Sequence, residues 1–194
     1  VHPSQGHHEN TLANALAYRF ASRGEHFVFR AVNRLDRDTT GLLLIAKHKI
    51  SGAFLSAMTA KKRYAANISR LLPVNQKNPA PSICRSPEKI VPPSNAASIW
   101  IMGNTPSPIT GVSITGTISL LLVRLRLETG RTHQIRVHMK AIGHPLLGDF
   151  LYNPDYRFIG RQALHSYTVA FRHPITGEAM EFTAPMPEDF SFFY

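Results

Sequence analysis

The chain has 194 residues and 22 Lys plus Arg against 12 Asp plus Glu, a formal net charge of +10, with 43% hydrophobic residues. That length and apolar content suit one globular domain with a real core. No apolar run reaches the ~18 residues of a membrane helix, and the single Cys84 excludes an internal disulfide framework and a cluster of thiolate metal ligands. No basic-then-apolar leader opens the chain, so a cytoplasmic protein is expected; the first residue, Val1, is not a Met, as expected of a fragment or a processed product.

In chain order, Thr11 caps a predicted helix through Leu12, Leu16 and Phe20, which share one face, with Gly24 where such a helix would stop. Phe27 to Val32 reads as a strand, and a polar loop from Asn33 to Gly41 leads into a second strand, Leu42 to Ala46. A second amphipathic helix carries Phe54, Leu55 and Met58 and ends at Lys61 and Lys62, cations that suit a helix C-terminus. Eight of the 14 prolines fall between residues 73 and 118, where long regular elements are not expected. Regularity returns in a half-buried strand, with Leu121, Val123, Leu125 and Leu127 pointing one way and Arg124, Arg126 and Glu128 the other. A helix with Ile135, Met139 and Ile142 on one stripe follows, and short strands at Ser166–Phe171 and Met180–Thr183 close the chain. Strands mixed with a few helices, without a βαβ rhythm, predict an α+β fold with a mixed, largely antiparallel bent sheet in a single domain spanning residues 1–194.

Fifteen of the 22 basic residues are Arg, whose planar fork suits phosphates and base edges. Between Arg30 and Arg85 there are eleven basic residues and only two acids, Asp36 and Asp38. A field of that sign points to a polyanion, and nucleic acid is the expected partner. Asp36, set among cations, is available as a nucleophile or base. Taken alone, Asp36-Arg37-Asp38-Thr39-Thr40-Gly41 also reads as a capped turn. A second dense segment, Thr129 to His138, crowds Arg131, His133, Gln134, Arg136 and His138 together; alone it also reads as a solvated helix face. His133 and His138 are not accompanied by convergent ligands, so no metal is expected. The usual nucleotide and hydrolase motifs are missing, and no cofactor is expected.

Arg34 to Leu44, Thr129 to His138, His144 to Asp149, Tyr152, Leu164-His165 and His173-Pro174 occur in one order. This combination closely resembles the RluA-type pseudouridine synthases over roughly residues 1–72 and 119–190. The resemblance implies that fold and an isomerase that turns a flipped-out uridine of rRNA or tRNA into pseudouridine. It puts the catalytic aspartate on Asp36 and the arginine that fills the vacated stack on Arg34. Lys61-Lys62-Arg63-Tyr64-Ala65 resembles a strand whose tyrosine, here Tyr64, stacks on the target base. Arg136 would pair with Asp36. Arg37, Lys61, Lys62, Arg131, His133 and Gln134 are the further expected RNA contacts, and a monomer free of metal and membrane is expected. The alternative is a basic RNA-binding relative that has lost activity; Asp36, intact beside Arg34 and Arg136, separates the two.

Three departures from the family pattern stand out. Asn33 takes a position often held by His, one family strand would lie upstream of Val1, and residues 86–118 do not follow the pattern. A local change of reading frame, restored near Leu120, is the expected origin of the last.

Overall fold

The structure is a computed structural model that describes residues 9–60, 67–75, 109–115, 120–127, 131–141 and 143–193. Helix α1 (Leu12–Ala21) starts as expected: Thr11 Oγ1 accepts the Asn14 N–H and the Asn14 side chain accepts the Thr11 N–H, satisfying two donors that a helix start leaves open. None of its residues is fully buried. It is held instead through Phe20, whose ring stacks on Phe27 with centroids 4.2 Å apart. Helix α2 (Lys49–Ala60) and helix α3 (Gln134–Ala141) also form where expected.

One sheet of six strands organises the rest: β1 (Thr40–Gly41), β2 (Asn67–Asn75), β3 (Ile109–Thr115), β4 (Leu120–Leu127), β5 (His165–Arg172) and β6 (Ala179–Thr183). The order is β1-β5-β2-β4-β3, with β6 also on β5. Among the described residues, only the β1–β5 pair is parallel. This is the mixed, largely antiparallel α+β architecture the sequence predicts. On β4, Val123 and Leu125 are buried and Arg124 is exposed, as the alternation requires. Ile135 and Met139 of α3, Leu146, Leu164 of the β5 approach and Val169 of β5 are buried as well. Leu147, Ile159, Ala163 and Phe190 form one core cluster, so the short 3-10 turn Glu188–Phe193 is tied to the segment ahead of β5.

Two expectations change. The strands predicted at Phe27–Val32 and Leu42–Ala46 are replaced by extended chain joined through the single bridge Ala31–Ile45, with β1 only two residues long. The cause is Asn33, whose amide accepts the Leu44 N–H (2.7 Å) and donates to the Leu42 carbonyl (3.3 Å). A side chain thus takes over positions that a strand ladder would fill. The second change concerns residues 73–118, where long regular elements are not expected: β2 runs on to Asn75, and the seven-residue β3 pairs with β4. Pro73 is accommodated because pairing with β5 has ended at Leu71, so only the β4 side of β2 is engaged there. The remainder of the segment that departs from the family pattern, residues 86–108 and 116–118, lies outside the described residues. Among the described residues no helix is long and apolar enough to cross a membrane.

Candidate active site

The site is built on the turn between Asn33 and β1. The Thr39 N–H donates to the Asp36 carbonyl (3.2 Å), and Asp38 takes φ +67, a conformation that Asp tolerates better than most side chains. The segment leading into β5 clamps this turn from beneath. Gln162, fully buried, donates through Nε2 to the Arg37 carbonyl (2.8 Å) and to Thr39 Oγ1 (2.7 Å). Arg161 donates to the Asp38 carbonyl (3.2 Å) while its Nε and Nη2 grip Asp189 at 2.7 and 2.8 Å. Thr40 Oγ1 lies 2.9 Å from Nδ1 of buried His165, a ring that burial first, and the nearby Arg161 charge second, hold below its ordinary pKa. Gly41, at φ +99, passes so close to Ser166 that a Cβ would stand 2.2 Å from its carbonyl oxygen; only glycine fits.

On this turn the Asp36 side chain keeps 18% of its exposure, so its carboxylate is recessed but reachable. Facing it is Arg136 of α3, whose side chain is 1% exposed. Arg136 Nη1 lies 3.8 Å from Asp36 Oδ2, within ion-pair range and beyond a hydrogen bond. The close partner is Asp149: Arg136 Nε and Nη2 donate to its two oxygens, each at 2.7 Å, in the fork geometry that makes such pairs strong. Asp149 is itself fully buried, and its Oδ1 also accepts the N–H groups of Leu151 (3.0 Å) and Tyr152 (3.1 Å). Burial alone would raise the Asp149 pKa, but the Arg136 hydrogen bonds and the two backbone donors hold it below the ordinary carboxylate value. Burial likewise works against the Arg136 charge, and Asp149 first, then Asp36, outweigh it and raise that pKa.

Aromatic rings surround this ion cluster. The Phe150 centroid lies 5.0 Å from the Arg136 guanidinium carbon and the Tyr152 centroid 5.2 Å. Lys140 Nζ stands 5.5 Å from the Tyr152 centroid, and the Tyr152 hydroxyl is 3.3 Å from His133 Nδ1. The arrangement is a reachable carboxylate facing a fixed, permanently protonated guanidinium, walled by rings and rimmed by cations. A carboxylate so placed is equipped to serve as an oxygen nucleophile or base.

A model of the RNA pseudouridylate synthase family matches residues 2–141. The chain belongs to this family. An uncharacterized RNA pseudouridine synthase of Bacillus subtilis (strain 168), YjbO, is 40% identical over 195 residues, which cover 97% of this chain and 66% of that protein. Ribosomal large subunit pseudouridine synthase D of Haemophilus ducreyi is 38% identical over 209 residues, 98% of this chain and 62% of that protein. The chain therefore spans a little under two thirds of the length of these curated relatives. Among solved structures, human RNA Pseudouridylate Synthase Domain Containing 1 shares the fold with a TM-score of 0.63 at 23% identity, covering 91% of this chain and 74% of that one.

Among the residues expected to act in such a synthase, the structure brings Asp36 and Arg136 together. Arg34, Arg37 and Arg131 are exposed, and His133 is half-buried against Tyr152. Gln134 is turned inward: it is buried, and its Oε1 accepts the Arg131 N–H (3.0 Å), so it holds the start of α3 rather than offering a face to RNA. Lys61, Lys62 and Tyr64 lie outside the described residues. Asp149, Phe150 and Gln162 had no assigned role in the sequence reading. Asp149 did carry a signal, since a carboxylate closing the apolar run Leu146-Leu147-Gly148 must find a cation once buried.

Proposed function

We propose that this chain isomerises uridine to pseudouridine in RNA, with Asp36 as the catalytic carboxylate and Arg136 as its charged partner. The observation that carries the reading is the recessed but reachable Asp36 carboxylate, 3.8 Å from a guanidinium that Asp149 locks in place. A uridine stacked in folded RNA must first leave its stack, and family resemblance gives Arg34 the place it vacates. The glycosidic N1–C1′ bond then breaks, the uracil turns, and C5 bonds to C1′. The C5 proton is lost and N1 ends protonated, so the reaction balances with no redox step and no transferred group. Asp36 serves as nucleophile at C1′ or at uracil C6, or as the base that takes the C2′ proton to give a glycal, returning it when C5 bonds to C1′. Tyr64 is the proposed stacking face for the base, and Arg37, Lys61, Lys62, Arg131 and His133 the proposed RNA contacts. Ribosomal RNA is the favoured substrate class, since relatives are named for the large ribosomal subunit; transfer RNA is the other.

The deciding experiment is Asp36→Asn, with carbodiimide and primer extension to map pseudouridine on ribosomal and transfer RNA. The amide cannot attack or deprotonate, so modification should vanish while RNA affinity is retained. Wild-type protein that leaves every RNA unmodified supports the inactive RNA-binding alternative instead, and modification surviving in the variant removes Asp36 from the chemistry.

A further inference from the structure

Arg37 follows Asp36 directly in the turn. Its side chain is 69% exposed, yet it is not a free cation: Nε donates to Asp38 Oδ2 at 3.1 Å. Its guanidinium carbon lies 4.6 Å from the Phe150 ring centroid. Phe150 is itself 38% exposed and also touches the Arg136 guanidinium, so the ring spans from the buried ion cluster to the surface. An arginine meant only to meet a phosphate gains from a loose, fully charged fork. Here the charge is partly met by Asp38, and the planar group is laid against an aromatic ring.

We propose that Arg37, packed on Phe150 beside Asp36, is a stacking shelf for a nucleobase next to the target uridine in single-stranded RNA. The inference rests on the RNA reading given above. Unstacked bases are held on guanidinium planes as well as on aromatic rings, because every base offers a π-face. The Phe150 ring under the shelf also packs on Arg136, which lies 3.8 Å from the Asp36 carboxylate, so the base it takes is a neighbour of the reacting one. It would favour targets in loops over targets inside a duplex, where the neighbour remains paired. The net charge of +10 supplies the attraction for the RNA backbone, and the shelf adds a contact that depends on shape rather than charge.

The test uses a nine-nucleotide RNA with one uridine centred among adenosines, 2-aminopurine replacing each adenosine in turn. Fluorescence quenching reports stacking, and anisotropy reports binding. Wild type should quench the probe at one position adjacent to the uridine. Arg37→Lys keeps the charge but lacks the plane; it should lose that quenching and bind about 5- to 150-fold more weakly. Phe150→Ala should lose it too. If Arg37→Lys retains quenching and affinity, while Arg37→Gln only lowers the slope of binding against salt by about one, Arg37 is a phosphate contact and the shelf is refuted. Binding without quenching at any position also refutes the shelf and leaves the RNA reading standing. No binding at all overturns both.

Discussion

The Arg136–Asp149 pair sets the scale of the site, and Asp149→Asn tests it. Both side chains are out of solvent, and the carboxylate accepts four hydrogen bonds: two from Arg136, and one each from the Leu151 and Tyr152 N–H groups. An amide oxygen can still serve the backbone donors and Arg136 Nη2. The amide nitrogen then faces Arg136 Nε as donor against donor, and the negative charge is gone. Arg136 is left buried with Asp36 as its remaining counter-charge, 3.8 Å away and on the solvent side. Removing one partner of a buried pair costs about 3–5 kcal/mol. For a chain of this size that lowers Tm by roughly 6–20 °C, at about 2–4 °C per kcal/mol. Urea unfolding and thermal denaturation measure the loss. Replacing both partners, with Arg136→Met and Asp149→Asn together, should cost less than Asp149→Asn alone, because no charge stays stranded and the amide oxygen still accepts the Leu151 and Tyr152 N–H groups. A single variant that loses under about 1 kcal/mol, or a double variant costing the sum of its parts, would refute the view that Asp149 carries the Arg136 charge.

Two further perturbations reach the turn that carries Asp36. His165 has its pKa lowered in the folded protein by burial and by Arg161, whereas the unfolded chain binds its proton near 6.5. The unfolded state therefore takes up the extra proton first, so stability is full above pH 6.5 and falls as pH drops towards the folded value. Urea unfolding at pH 7.5 and 5.5 should show that slope, and His165→Gln should flatten it; an unchanged slope assigns the acid sensitivity elsewhere. At Gly41, substitution by Ala drives a Cβ into the Ser166 carbonyl and should cost at least about 2–3 kcal/mol. Gly177→Ala, at φ +74 with open space around it, should cost only about 1–2 kcal/mol in circular-dichroism melts, and equal losses would show that backbone strain rather than the close approach to β5 decides.

How much of this was legible in the sequence follows from the range of the forces involved. Thr11, the alternation of β4 and the Ile135–Met139 stripe act through neighbours a few residues away, so periodicity and capping chemistry reveal them. The strands expected around Asn33 failed for a reason equally local yet invisible to strand propensity: one amide side chain substitutes for the ladder. β3 escaped because prolines and small polar residues disfavour regular structure in isolation, while β4 supplies a partner that no local window contains. Asp36 and Arg136 stood out by residue type and by family resemblance. Asp149, Gln162 and Arg161 did not, because each acts across 13 to 125 positions of chain on a partner that only the fold brings near.

These long-range contacts fall into two sets that meet at the 3.8 Å gap and at the Phe150 ring, which packs on both Arg37 and Arg136. Asp36 takes its place from the turn, which Gln162, Arg161, His165 and the Gly41–Ser166 approach tie to β5. Arg136 takes its place from α3 and from Asp149, which the backbone of residues 151 and 152 holds. The side chains that fix them differ, Gln162 for the turn and Asp149 for the cation, so each can be perturbed by its own substitution. A loss at Gln162 removes two part-buried hydrogen bonds, to the Arg37 carbonyl and to Thr39 Oγ1, at about 0.5–1.5 kcal/mol each, and loosens the carboxylate but not the cation. A loss at Asp149 does the reverse. Distances between charges set by two rigid supports are held more tightly than by the weak attraction across the gap itself, which is too long for a hydrogen bond. The fold, rather than the Asp36–Arg136 ion pair, is what holds the carboxylate in register with its counter-charge.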